Sequence, residues 1–202
     1  MNSGMDDAVA RVRLVRDLTC NGIDADKLAR GVRDGTWSRV RRGAVVEGAL
    51  SDDAVVRHCQ LIAATTPILR ADSWALSHTS AAVILGLPVP YEGLEAVWIT
   101  RPKGRSAHRR EQLMTRVCDI EDDEVITVDG LPVTCPERTA IDLARQHGLA
   151  TGLMESTPSF VPAGASGGCR SSWAGVRGGG GARPLPERWN WRVPCRRVPE
   201  NQ

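Results

Sequence analysis

Hydrophobic and polar positions change their period several times along the chain. Val9, Val12, Leu14, Val15 and Leu18 recur at roughly helical spacing and predict a first helix. Asn21-Gly22 is a turn and helix-stop signal. Asp24 stands as an N-cap ahead of a second helix, Ala25 to about Arg33, closed by Asp34-Gly35. Thr36 to Gly48 alternates apolar and polar residues, with Trp37, Val40 and Val45 as the apolar members. Arg42-Gly43 can turn, so two short strands joined by a basic turn are predicted.

The next hundred or so residues mix both periods. Asp52 or Asp53 caps a helix through Val55, Val56, Cys59, Ile62 and Ala63, ended by Pro67. Ser77 is placed to cap a helix from Thr79 to Leu85, its hydroxyl taking an orphan N–H, and Gly86 and Pro88 stop it. Glu95 to Thr100 reads as a strand, Arg101 to Arg110 as a basic loop, and Thr115 to Val117 as a strand. Glu124 to Val128 and Leu131 to Thr134 flank Asp129-Gly130, a hairpin signal. Pro136 opens a last helix, Arg138 to Gln146, that ends at His147-Gly148.

After about residue 154 the periodicity stops. The tail is rich in Gly, Pro and Arg and poor in aliphatic residues, a composition that argues disorder. Gly, Arg, Pro, Ala and Trp are also what GC-rich DNA encodes out of frame. The abrupt change therefore predicts that the reading frame is lost shortly after Gly152.

Composition narrows the class. Of 202 residues, 42% are apolar and 25% charged, which is globular usage with enough material for a core. The net charge of +2 is too mild to identify a nucleic-acid partner, so the distribution of charge carries that question. No segment approaches the roughly 18 apolar residues of a membrane span. The N-terminus has early acids and no apolar core of a signal peptide, so a cytoplasmic protein is expected. Cys20, Cys59, Cys118, Cys135, Cys169 and Cys195 are scattered without zinc spacing, and are expected to be free thiols.

The strongest constellation is the basic helix and hairpin. Lys27, Arg30 and Arg33 recur every three residues on one helix face, opposite Leu28 and Val32. Trp37 anchors the following strand, and Arg39, Arg41 and Arg42 crowd the turn. Only Asp34 offsets these cations between positions 27 and 42. A helix able to enter a major groove beside a cationic turn able to reach phosphates fits DNA binding. A solvated helix beside a basic loop is the rival reading. Arg101, Lys103, Arg105, Arg109 and Arg110 form a second basic cluster, either further phosphate contacts or a solvated loop. Ser77, His78 and Ser80 lack the base, acid and elbow of a nucleophile and read as core hydrogen bonding. His58 has no second ligand one turn away, so no metal is expected. Glu121 to Glu124 reads as a solvated loop, and Arg138 with Asp142 as an ion pair joining the last helix to the sheet.

A family resemblance follows. The run GIDADKLARGVRDGTWSRVRRGAVV resembles the N-terminal winged helix of the AbiEi-type antitoxins of type IV toxin–antitoxin systems. LSHTSAAVILGLPVP, VWITRPKGRSAHRR and VITVDGLPVTCPERTAIDLAR resemble later segments of that family, in order, over roughly residues 20–150. The resemblance implies a repressor of its own promoter that opposes a nucleotidyltransferase toxin. Long relatives carry a C-terminal nuclease-like domain, and no Asp…Glu-x-Lys core is found in this tail.

The expected fold is α+β: a winged helix-turn-helix over 1–50, a small mixed α/β domain over 51–154, and a disordered or out-of-frame tail over 155–202. The expected partner is double-stranded DNA, with no cofactor, no metal and no catalytic residues. A remnant of a nuclease-bearing protein, or a protein-interaction module, are the alternatives.

Overall fold

The computed structural model describes residues 3–69, 74–89, 91–102 and 109–148, which form an α+β fold. The Gly/Pro/Arg-rich tail and the expected loss of frame lie outside the described residues.

Where one N-terminal helix is expected, the chain makes three pieces: α1 (Ser3–Ala10), β1 (Val12–Leu14) and α2 (Val15–Cys20). The cause is tertiary. Val12, Arg13 and Leu14 pair antiparallel with Val46, Val45 and Ala44. A strand here satisfies a row of backbone groups that a helix would leave open. That outweighs the weak helical preference of β-branched Val12.

Downstream, the local signals hold. Asp24 accepts the backbone N–H of Lys27 at 2.7 Å and starts α3 (Ala25–Arg33). β2 (Trp37–Arg41) and β3 (Ala44–Glu47) form a hairpin, with Gly43 at φ +84° in the turn between them. The sheet order is β1-β3-β2, and Ala44, Val45 and Val46 are all buried.

Asp53 caps α4 (Ala54–Thr65), accepting from the N–H groups of Val55 and Val56 at 2.8 and 3.3 Å. Pro67 falls in the 3-10 turn Thr66–Ile68 that follows. From His58 to Thr65 every residue of α4 is buried. The helix packs against α1 and all three strands of the first sheet, and also against α5 (His78–Leu85) and β5 (Val97–Arg101).

A second sheet gathers β4 (Ala75–Leu76), β5, β6 (Arg109–Arg110), β7 (Leu113–Val117), β8 (Val125–Val128) and β9 (Leu131–Thr134), in the order β6-β7-β5-β4-β9-β8. β5 with β7 and β4 with β9 are parallel; the other pairs are antiparallel. Asp129 and Gly130, at φ 50° and 79°, supply the two left-handed positions of the predicted hairpin. α6 (Pro136–His147) packs on α5. One apolar cluster runs from Val40 and Val46 through Leu61 and Ile62 to Leu76, Ile99, Val133 and Leu143.

Arg138 fixes α6 to the sheet. Its Nε donates to both Asp142 oxygens at 3.2 and 3.1 Å, its Nη1 to Glu124 at 2.7 Å, and its Nη2 lies 2.9 Å from Cys118 Sγ. Burial pushes the Asp142 carboxyl up, and the guanidinium pulls it back. The acidic run is therefore not a plain solvated loop. Asp122–Glu124 is a 3-10 turn with a capping box, and Glu124 leaves the exposed run to pair with Arg138. Truncating Arg138 to Ala leaves Asp142, 4% exposed, with only the exposed Arg145 at 3.8 Å, and should cost about 3 kcal/mol of stability. Urea denaturation should find Arg138→Met with Asp142→Leu less damaging, because the more deeply buried carboxylate is removed with its partner and only the half-buried Glu124 loses one.

Candidate nucleic-acid interface

Helix α3 carries the first candidate cations. Lys27, Arg30 and Arg33 are all exposed. Lys27 stands 3.8 Å from Asp24, an exposed pair of little worth that leaves the ammonium free to move. The N–H of Lys27, helped by the charges of Lys27 and Arg30, holds the Asp24 carboxyl below its ordinary range. At the other end the Thr36 hydroxyl, then its N–H, does the same for Asp34.

The apolar side of α3 is thin. Leu28 and Val32 are half-buried, and Gly31 is the one buried residue of the helix. A Cβ at Gly31 would come within 2.4 Å of Trp37 Cδ1. The glycine thus lets α3 seat directly on the indole of β2, a helix–strand contact a side chain would forbid. Sequence reasoning missed Gly31; its signal was a lone glycine inside a helical pattern.

The hairpin divides its cations. Arg39 and Arg42 are exposed. Arg41 is half-buried, with Nη1 donating to Thr65 Oγ1 of α4 at 3.1 Å. In the second cluster, Arg101 is half-buried at the end of β5, and Arg109 and Arg110 form β6 against Met114 and Leu113. Lys103 and Arg105 lie outside the described residues. Gln112, in the turn between β6 and β7, donates its Nε2 hydrogen to the Val40 carbonyl at 3.3 Å, between Arg39 and Arg41. That tether brings the β6–β7 turn against β2.

Other side chains with possible chemistry are locked into the core. His58 and Ser80 are both wholly buried. The Leu94 carbonyl, 2.6 Å from His58 Nδ1, can only accept, so Nδ1 carries the proton and Nε2 accepts from the Ser80 hydroxyl at 2.9 Å. The Ser80 oxygen in turn accepts the Trp98 N–H at 2.8 Å. Ser77 occupies the N-cap position of α5 but makes no cap bond; its hydroxyl lies 3.0 Å from His78 Nδ1. The reason is the backbone: His78, at φ 52°, leaves the first turn out of regular geometry. Among the described residues no group of three or more His, Cys, Asp or Glu converges as for a metal ion, and no helix is long and apolar enough to cross a membrane.

Residues 75–159 match a family model, the AbiEi antitoxin C-terminal domain. The match covers less than half of the chain and identifies an AbiEi-type antitoxin domain over those residues. No curated protein matches the chain. Among solved structures, the RV2827C protein from Mycobacterium tuberculosis is similar at 18% identity over 70% of this chain, with a TM-score of 0.44; the chain spans 58% of that protein's length.

The buried histidines make stability depend on pH. Burial, and then the guanidiniums of Arg116 and Arg138, lower His78 to about 4, and burial lowers His58 as well. An unfolded histidine takes up a proton below about pH 6.5, and these two resist it when folded. The unfolded state therefore gains protons first, so this stabilisation is whole above about pH 6.5 and is lost as the pH falls towards 4. For His78 the loss from pH 7.5 to pH 5 should be about 2 kcal/mol. Urea midpoints at those two pH values would measure it, and identical stabilities would refute the assignment.

Proposed function

We propose that the chain is a cytoplasmic DNA-binding transcriptional regulator: a type IV antitoxin that represses its own promoter and opposes a nucleotidyltransferase toxin. In this reading residues 1–50 are a winged helix-turn-helix, and 51–154 carry the antitoxin domain. α3 enters the major groove with Lys27, Arg30 and Arg33 on bases and phosphates. Arg39 and Arg42 grip the flanking backbone, and Arg109 and Arg110 add phosphate contacts. The protein acts by binding and not by catalysis.

The observation that carries this reading is the pose of α3. It offers exposed cations, rests on β2 through Gly31 and Trp37, and adjoins a hairpin whose Arg39 and Arg42 are also exposed. A helix held along one side, by Leu28, Gly31 and Val32, keeps its cationic side free for a groove. Arg41, notched into Thr65, supports the hairpin more than it reaches outward. A second reading, a protein-interaction module, is favoured by a shallow apolar groove of Leu14, Val15, Ala64 and Ile68 rimmed by Arg16 and Arg42.

Mobility-shift titration of the full chain against the DNA upstream of its gene, at two salt concentrations, tests the first reading. Specific binding should weaken with salt, and each lost phosphate contact should reduce the log–log salt slope by roughly 1. Arg42→Ala and Arg39→Ala should weaken binding. Arg41→Ala should mainly lower the melting temperature. Binding no tighter than to random DNA would remove the autoregulator and leave the protein-partner reading.

A further inference from the structure

We propose that Gln112 is a positioning residue for DNA binding, a role that rests on the DNA-binding reading and deepens it. From the turn between β6 and β7 it clasps the bulge in β2, and so sets the pose in which the hairpin presents Arg39 and Arg42.

The backbone of Gln112 is unusual for its residue type. β6 and β7 pair Arg110 with Leu113, so Glu111 and Gln112 are the two residues of a tight turn. Gln112 stands at φ 85°, a left-handed value that such a turn ordinarily gives to glycine or asparagine. A glycine would lie there without strain. It would also keep the backbone bond from the Val97 N–H to the carbonyl of residue 112, 3.0 Å long. The turn itself therefore has no use for a glutamine side chain. Strain kept in this way points to something the side chain does.

What it does is reach β2. Its Nε2 donates to the Val40 carbonyl at 3.3 Å, between residues 72 positions apart. β2 is an edge of its sheet, with β3 on one side. Their pairing passes from Arg39 with Val45 to Arg41 with Ala44, which makes Val40 the extra residue of a bulge. The amide thus takes hold of β2 at the residue where its register shifts. Around Val40 the arginines diverge: Arg39 is exposed, Arg41 turns to Thr65 Oγ1, and Arg42 in the turn is exposed again. A bulge decides where the side chains beside it point, and ladder bonds hold an edge strand from one side only. The buried Val40 side chain anchors the bulge in the core, and Gln112 anchors its carbonyl. A hairpin already held in its competent pose loses no affinity to time spent in others.

The test titrates the full chain at low salt against the DNA upstream of its gene, with thermal melting alongside, for the wild type, Gln112→Gly and Gln112→Asn. Glycine removes the tether and the strain together. Asparagine accepts the left-handed backbone, but its amide is one methylene short of Val40. Both variants should melt no lower than the wild type, since relief of strain offsets the lost bond. Both should bind roughly fivefold more weakly, the worth of one neutral hydrogen bond. In a chain that already carries Arg39→Ala and Arg42→Ala, Gln112→Gly should cause no further loss, because Gln112 acts through those two arginines. Unchanged affinity in Gln112→Gly overturns the positioning role. A loss that persists in full without the two arginines overturns it too, because Gln112 is then a DNA contact in its own right. So does a loss that comes with a lower melting temperature in both variants, the mark of a support to the fold alone. Wild-type binding no tighter than to random DNA removes the DNA-binding reading itself, and the role with it; the other three outcomes leave that reading standing.

Discussion

The rest of the structure depends on burying a helix that is not apolar. α4 is sequestered from His58 to Thr65, and three of those residues, His58, Gln60 and Thr65, carry polar side chains that water cannot reach. Each is answered by a different element. His58 binds Ser80 of α5 and the Leu94 carbonyl, Gln60 donates to the Ala8 carbonyl of α1, and Thr65 accepts from Arg41 of β2. Apolar burial drives these elements together without choosing a register; directed bonds choose it. Sliding α4 by a turn would orphan several buried groups at once, each at a cost of about 1–3 kcal/mol.

The same logic explains why α3 differs from its neighbours. Among the described residues it shows no buried polar bond to α4; its Asp24 cap and the seat of Gly31 on Trp37 help to hold it. Its charge is therefore displayed and not consumed. Arg41, by contrast, spends its hydrogen bonds on the interior, although in sequence it is indistinguishable from Arg39 and Arg42. Alternation along a strand assigns faces only while the register is regular, and β2 shifts register between Arg39 and Arg41.

What was legible in the sequence was local. Asp24 as a cap, a second cap at Asp52 or Asp53, Gly43 and Asp129-Gly130 as turns, Pro136 as a helix start and Arg138 with Asp142 as an ion pair all follow from chemistry within a few residues. What was not legible was settled by partners far along the chain. β1 exists because β3 offers an edge some thirty residues away. Ser77 is no cap because His78 is bent to meet Trp98. Gln112, an unremarkable residue in a polar stretch, bridges the two sheets only because folding brings Val40 to it.

The family match begins at Ala75, beyond α3 and the basic hairpin, so the assignment of the AbiEi domain and the case for DNA binding rest on different residues. The two parts are nonetheless not independent bodies joined by a linker. The apolar cluster passes through α4 without a break, and the Gln112–Val40 bond joins the edge of one sheet to the hairpin of the other. A contact of this kind is not in itself an allosteric coupling, which requires two states and a difference in their affinities. What it does impose is a fixed geometry: the β6–β7 turn is held against β2, so the hairpin cannot move without the edge of the second sheet.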